Sequence, residues 1–378
     1  MADQNEEKNA EMNEEKVEEM KMSNIEKAGD KSCPQCGATL VYSPTRRKLY
    51  CQYCDYVEEI KKVHNDKVME KPLDFDKIED TVSYEWGQNK KLIVCESCGA
   101  EAIYDELDAA KVCPFCGANH VMELDGLKGV MPPDGVVPFK VGRKQAAELF
   151  KKWMGSKFFA PGKAKKQAEP DSFFGIYLPY WSFDSHTATQ YKGMYGIDRT
   201  VQGKDGKTYV TTDWYNCSGN YNYFVDDELV IATTKHDKGI LKSVEPFDTN
   251  NCLPYKPEYL SGFVAEKYST GLKDAWGMGQ QQIHSLLEAL ISDHIMRSHM
   301  ASHAQIKSMS IDYIDPAYKY VVLPLWQSSF KFGGKEYHFM VNGETGKVGG
   351  KYPISVLKVI LVIVIIVVII ALIYNYMG

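Results

Sequence analysis

The stretch CPQCGATLVYSPTRRKLYCQYC, residues 33–54, sets two C-x2-C pairs fourteen residues apart. Sixty-two positions later CESCGAEAIYDELDAAKVCPFC, residues 95–116, repeats the spacing. Four thiolates so arranged can converge on one tetrahedral ion, the ligand set of a structural zinc ribbon. Cys33, Cys36, Cys51 and Cys54 are therefore expected to hold one Zn2+, and Cys95, Cys98, Cys113 and Cys116 a second. Iron is the other metal that such thiolates accept. Four protein ligands leave no open coordination position, so these metals should support the fold and not perform chemistry. Neither ribbon can bury a sufficient core alone, and metal coordination replaces it. Gly37, Gly99 and Gly117 each follow the second thiolate of a pair, where a tight turn needs backbone freedom.

Of the ten cysteines only Cys217 and Cys252 lie outside this pattern, and they read as small buried or half-buried thiols. The chain opens without an apolar signal segment, so paired thiols point to a reducing compartment and to metal rather than disulfides. Its 378 residues leave room for roughly two or three domains. The net charge of −6 is concentrated in residues 1–30, which hold ten acids and four lysines. This tail reads as acidic and disordered, and the remainder is close to neutral, which argues against a long basic face for nucleic acid. Arg46, Arg47 and Lys48 could meet a phosphate, but the equivalent loop of the second repeat carries Glu101, Asp105, Glu106 and Asp108.

At the other end VILVIVIIVVIIALI, residues 359–373, has no polar side chain. With its flanks it gives a transmembrane helix over 354–376, close to the ~20 residues that cross a bilayer. In lipid such a Val/Ile-rich segment must satisfy its own backbone, which selects helix over strand. Lys358 lies one turn inside the boundary and can snorkel outward. Lys351 and Lys358 precede the span and only uncharged residues follow, so the bulk of the chain is expected in the cytoplasm, with the protein single-pass in the cell membrane.

Between these ends the expected organisation is multi-domain α+β: ribbon one over 31–58, a charged linker over 59–90, ribbon two over 91–124, and an α+β domain over 125–350 rich in aromatic antiparallel strands. Residues 142–156 read as an amphipathic helix and 273–308 as a longer one, with Ile283, Leu286, Leu287, Leu290, Ile291 and Ile295 as its apolar stripe. Alternation in KTYVTTDWYN and NYNYFV, and strands around Tyr320–Phe332 and Tyr337–Val341 joined at Gly333-Gly334, argue for hairpins. Leu178-Pro179-Tyr180-Trp181 is echoed by Leu323-Pro324-Leu325-Trp326, either a duplicated β unit or a coincidence. His294, His299 and His303 cluster, the last two four apart on one expected helical face. No third ligand stands at matching spacing, so surface or core histidines are the simpler reading. No phosphate loop, dinucleotide fingerprint, H-E-x-x-H or G-x-S-x-G is present, and NGETGKVGG at 342–350 fits an Asn-Gly hairpin better than a phosphate cradle.

The tandem ribbons, FAPGK at 159–163, GIYLPYWSFD at 175–184, YLSGFVAEKY at 259–268 and VNGETGKVGG at 341–350 resemble a bacterial family of membrane-anchored TFIIB-type double zinc-ribbon proteins. The family is often labelled primosomal protein N′ or replication-restart helicase-like. That label transfers poorly, because the helicase's nucleotide-binding loop is missing here and its cysteine spacings differ. The resemblance implies association with SPFH-domain and phage-shock-type membrane-stress proteins. The expectation is therefore a non-enzymatic, membrane-anchored zinc-binding scaffold or adaptor that recruits partner proteins. The alternative is a membrane-tethered nucleic-acid-binding zinc-ribbon protein using Arg46, Arg47 and Lys48.

Overall fold

A computed structural model describes residues 32–61, 67–74, 90–97, 99–105, 113, 121–124, 131–166, 173–204 and 206–377. The acidic tail and most of the charged linker lie outside the described residues. The fold is mixed α/β, with large sheets, aromatic clusters and one apolar C-terminal helix.

Ribbon one is a small sheet of β1 (Val41–Ser43), β2 (Lys48–Tyr50) and β3 (Val57–Glu58). After β4 (Lys71–Pro72) come β5 (Lys90–Cys95), β6 (Glu101–Asp105) and β7 (Val121–Leu124), which carry the second cysteine repeat. These last three strands continue the main sheet of the body. Next are β8 (Gly135–Val136), α1 (Arg143–Ser156), β9 (Phe174–Gln202) and β10 (Thr208–Ile231). The chain then runs through α2 (Lys238–Val244), β11 (Leu253–Pro254), β12 (Val264–Glu266), α3 (Leu272–His299), β13 (His303–Phe332), β14 (Lys335–Asn342), β15 (Val348–Gly350) and α4 (Val356–Met377).

The two Leu-Pro segments meet at the centre of this sheet. β9 and β13 run antiparallel along most of their lengths, with Leu178 directly opposite Leu323. Around that pair the two halves repeat each other. β12 pairs in parallel with Ile176 and Tyr177, and β8 with Val321 and Val322, in each case two and one residues before the leucine. The indole N–H of Trp181 donates to Thr270 O at 2.9 Å, and that of Trp326 to Val141 O at 2.8 Å. Thr270 and Val141 each immediately precede the glycine, Gly271 or Gly142, that caps the following helix. The amides of Ser269 and Thr270 both donate to Ala232 O, and those of Lys140 and Val141 to Gly343 O. Ala232 N–H in turn donates to Pro179 O and Gly343 N–H to Pro324 O, each at 2.9 Å. Matched contacts at matched positions establish a pseudo-twofold axis through Leu178 and Leu323, so the short sequence echo marks a duplicated β-α-β-β unit. Each half lends its short strand to the other half's long one.

Period-two alternation divides the central strands between two cores. Tyr177, Trp181, Phe183, Tyr320, Val322 and Trp326 face one cluster, covered by α1, α3 and ribbon one. Ile176, Leu178, Tyr180, Val321, Leu323 and Leu325 face the other, covered by α2 and by Phe247 and Cys252. In α3 the fully buried Ile283, Leu287, Ile291 and Ile295 recur every four residues and lie against the β9–β10–β13 arm. Leu286 and Leu290 are only half-buried at the edge of this stripe.

The long helix is shorter than the sequence suggests. It stops at His299, where Met300 takes a left-handed conformation (φ 48°) and donates to the carbonyls of Arg297 and Met296. A left-handed cap usually calls for glycine, and its absence hid the stop. His303 therefore opens β13 and does not share a helical face with His299. The Gly333-Gly334 hairpin has both glycines at positive φ, 58° and 76°, as a tight primed turn requires. The NGETGKVGG segment is the β14–β15 hairpin: Asn342 N–H donates to Lys347 O, and its side chain accepts from the amides of Glu344 and Thr345.

Candidate metal centre

Hairpin pairing within ribbon one brings its two cysteine pairs face to face. In the first knuckle Gly37 N–H donates to Cys33 O and Cys33 N–H to Ala38 O. In the second, Asp55 N–H donates to Cys51 O and Cys51 N–H to Tyr56 O. Gly37 (φ 75°) and Asp55 (φ 60°) occupy the same left-handed position. Sequence reasoning expected glycine there and overlooked Asp55, one of the few side chains that tolerate the conformation.

The ligand atoms of Cys33, Cys36, Cys51 and Cys54 all lie within 4.8 Å of one another. Cys33 Sγ is 3.3 Å from Cys54 Sγ, and Cys36 Sγ is 3.4 Å from Cys51 Sγ. A disulfide would need ~2.05 Å, whereas a tetrahedral ion with ~2.3 Å bonds to sulfur sets its ligands ~3.8 Å apart. The donor set thus fits a thiolate-bound metal. Cys33 and Cys51 are buried, Cys54 is half-buried and Cys36 faces solvent.

The protonation of this quartet is coupled. Amide donors from Tyr53 and Cys54 pull the Cys51 thiol down to about 7. The Tyr56 amide favours the Cys54 thiolate, yet the adjacent Cys33 thiol, burial and the other two cysteines push it up to about 12. Four thiolates this close cannot all ionise without a cation among them, and a divalent ion would supply it.

In the second repeat Cys95 and Cys113 are both buried, while Cys98 and Cys116 lie outside the described residues. The described part of the first knuckle repeats the pattern: Gly99 (φ 66°) donates to Cys95 O, and Cys95 N–H to Ala100 O. β6 pairs antiparallel with β12, Ala265 opposite Ile103. This repeat is therefore stitched by backbone into the pseudo-symmetric sheet.

Ribbon one is seated through Tyr42. Its amide donates to Ser261 O at 3.0 Å, its hydroxyl to Phe139 O at 3.3 Å, and its ring stands edge-on to Tyr259. Burial raises the Tyr42 phenol above its ordinary range. Ser261 Oγ returns a bond to Leu40 O, and Gly262 (φ 81°) leaves room for Val41. Of the basic loop, the Arg46 guanidinium lies 5.5 Å from the Tyr50 ring centroid and Lys48 pairs with Glu59 at 2.7 Å. Arg47 borders a cavity of about 360 Å³ between ribbon and body, beside Lys61, Lys140 and Lys256. Arg46 and Lys48 thus each engage a neighbour within the ribbon.

The late histidines serve as ring partners: His294 against Tyr221, His299 stacked on Tyr195 at 4.0 Å, and His303 beside Trp214 and 3.2 Å from Asp198. Two buried polar networks gave no motif in the sequence. Glu266 accepts from Thr233 Oγ at 2.5 Å and lies 2.7 Å from His236 Nε2, bracing the end of β10 against β12. Lys319 meets Asp227 at 2.5 Å, Glu70 at 3.5 Å and Asp184 at 3.8 Å. Burial pushes the Asp184 carboxyl up to about 6 despite its bond from the Asp227 amide. The partners come from segments far apart in the chain, which no local pattern records.

At the C-terminus α4 is long and apolar enough to cross a membrane, and its most apolar stretch is not buried against the body.

No family model matches the chain, and no solved structure matches it. It is 26% identical over 333 residues to a Bacillus subtilis (strain 168) protein named uncharacterized protein YdjG, spanning 86% of this chain and 91% of that one.

Proposed function

We propose that this chain is a non-enzymatic, membrane-anchored zinc-binding scaffold that recruits partner proteins to the cytoplasmic face of the cell membrane. The observation that carries this reading is the closed Cys33–Cys36–Cys51–Cys54 quartet, held rigidly on the body of a chain that ends in an uncovered apolar helix. A four-thiolate site has no position for substrate or activated water, so its metal rigidifies a surface. The second cysteine repeat supplies the other zinc in this reading, on strands that extend the same sheet.

Lys351 and Lys358 on the body side of the helix set the orientation, body inside, by the positive-inside rule. SPFH-domain and phage-shock-type proteins, implied by the sequence resemblance, are the first partners to test. Affinity capture of the full chain from detergent-solubilised membranes, followed by mass spectrometry, should return a defined partner that is lost with Cys36→Ser. Capture of nothing above background, or a partner retained by metal-free protein, contradicts the proposal.

A further inference from the structure

The loop after α1 is about two hundred positions from α4 in sequence, yet the two are bonded together. Ser355 N–H donates to Phe159 O at 2.8 Å. The Lys358 ammonium donates to Phe158 O at 2.7 Å and Ala160 O at 3.0 Å, and sits 5.5 Å from the Phe158 ring centroid. Trp153 and Tyr352 meet edge to face at 5.9 Å, with the Lys157 ammonium 4.5 Å from the first ring and 5.7 Å from the second. The last turn of α1 and the loop behind it are thus fastened around the foot of α4.

These bonds also fix depth. A helix of 22 residues is ~33 Å long, against ~30 Å of hydrocarbon in a bilayer. Lys358 is its third residue, and an ammonium there belongs at the boundary. The carbonyls it binds must then lie at headgroup level. Phe158 (60% exposed) and Leu357 (80% exposed) offer apolar surface at this level, and Trp153 and Tyr352 form the kind of aromatic collar found there.

The segment that grips the foot of α4 is strongly basic. Residues 143–166 carry eight basic residues and a single acid, Glu148. Lys151, Lys152, Lys163 and Lys166 are exposed, and none is ion-paired to a described residue. Of the lysines beside the anchor, Lys351 has a partner, Asp237 at 2.5 Å. Because the chain beyond its acidic tail is near neutral overall, this cluster is local. Like charges so gathered repel one another until a counter-charge arrives, and anionic headgroups provide one.

We infer that the end of α1 and the loop through Lys166 form a binding site for anionic phospholipid headgroups around the foot of α4. The inference rests on α4 being a membrane span. Vesicles of phosphatidylcholine with a minority of phosphatidylglycerol, carrying the full chain, test it through energy transfer from the chain's tryptophans. Headgroup-labelled phosphatidylglycerol and labelled phosphatidylcholine are compared at equal mole fraction. The account expects transfer to favour the phosphatidylglycerol probe by roughly threefold or more at low salt, falling as salt rises. Replacing Lys151, Lys152, Lys163 and Lys166 by Gln should abolish the preference, and replacing them by Arg should keep it. Equal transfer to both probes, or a preference that survives the Gln variant, overturns the inference while leaving the anchor intact. Release of the chain from these vesicles by alkaline carbonate overturns the anchor itself, and the inference with it.

Discussion

At the residue scale the cysteines carry the most weight, because their chemistry depends on occupancy. The Cys51 thiol is drawn down to about 7 and Cys54 pushed up to about 12 within one quartet, a split that a bound divalent ion removes. If both repeats hold zinc as proposed, Cys36→Ser should halve the bound metal, from two ions per chain to one, by elemental analysis of purified protein. The Lys319 network obeys the opposite logic, since its charges are buried and must remain paired. Lys319→Met strands Asp184 and Asp227 and should cost about 3–5 kcal/mol in denaturant unfolding. Asp184 adds a pH dependence. Its folded-state value of about 6 lies above the ordinary 3.8, so the folded state retains a proton that the unfolded chain has released. Stability from this group is present below about pH 4 and is lost as pH rises through about 6. Asp184→Asn should remove that decline, seen as urea midpoints that no longer fall across the window.

At the element scale the duplicated unit makes a paired prediction. Trp181 and Trp326 hold equivalent carbonyls, Thr270 O and Val141 O, ahead of equivalent helix caps. Replacing either by Phe leaves its carbonyl without that donor and should cost about 1–3 kcal/mol in urea unfolding, with the larger loss at Trp326, whose bond is fully buried. The two halves are not interchangeable everywhere. A Cβ at Gly343 would stand 2.5 Å from the Phe139 ring and 2.8 Å from Pro324 Cβ, whereas its counterpart Ala232 already carries one. Gly343→Ala should therefore destabilise by about 1–3 kcal/mol through overpacking. Much of this level was legible beforehand: the amphipathic 142–156 segment, the Gly333-Gly334 turn and the Leu-Pro echo all lie in short windows. The end of α3 was not, because Met300 fills a position where only glycine would have announced the cap. The swapped parallel strands β8 and β12 were hidden too, since two or three residues carry no periodicity and their pairing is set by the other half of the fold.

At the scale of the whole molecule, the Cys33–Cys54 cluster, the pseudo-twofold sheet and the apolar helix are joined by specific bonds through Tyr42 and through Lys358. The sequence announced both ends, because a cysteine quartet and an apolar helix long enough to cross a bilayer each have a composition that little else shares. It said less about the Arg46–Lys48 loop, whose cations are distributed among Tyr50, Glu59 and a cavity once the ribbon has docked. The central claim is that one chain carries closed metal sites on a membrane-tethered body. Its most direct test is to wash membranes containing the 378-residue chain with alkaline carbonate, extract the pellet with detergent, and measure metal per chain. Two zinc ions per chain in the pellet fraction is the predicted result. Protein released by the wash, or pelleted protein without stoichiometric metal, would contradict the account.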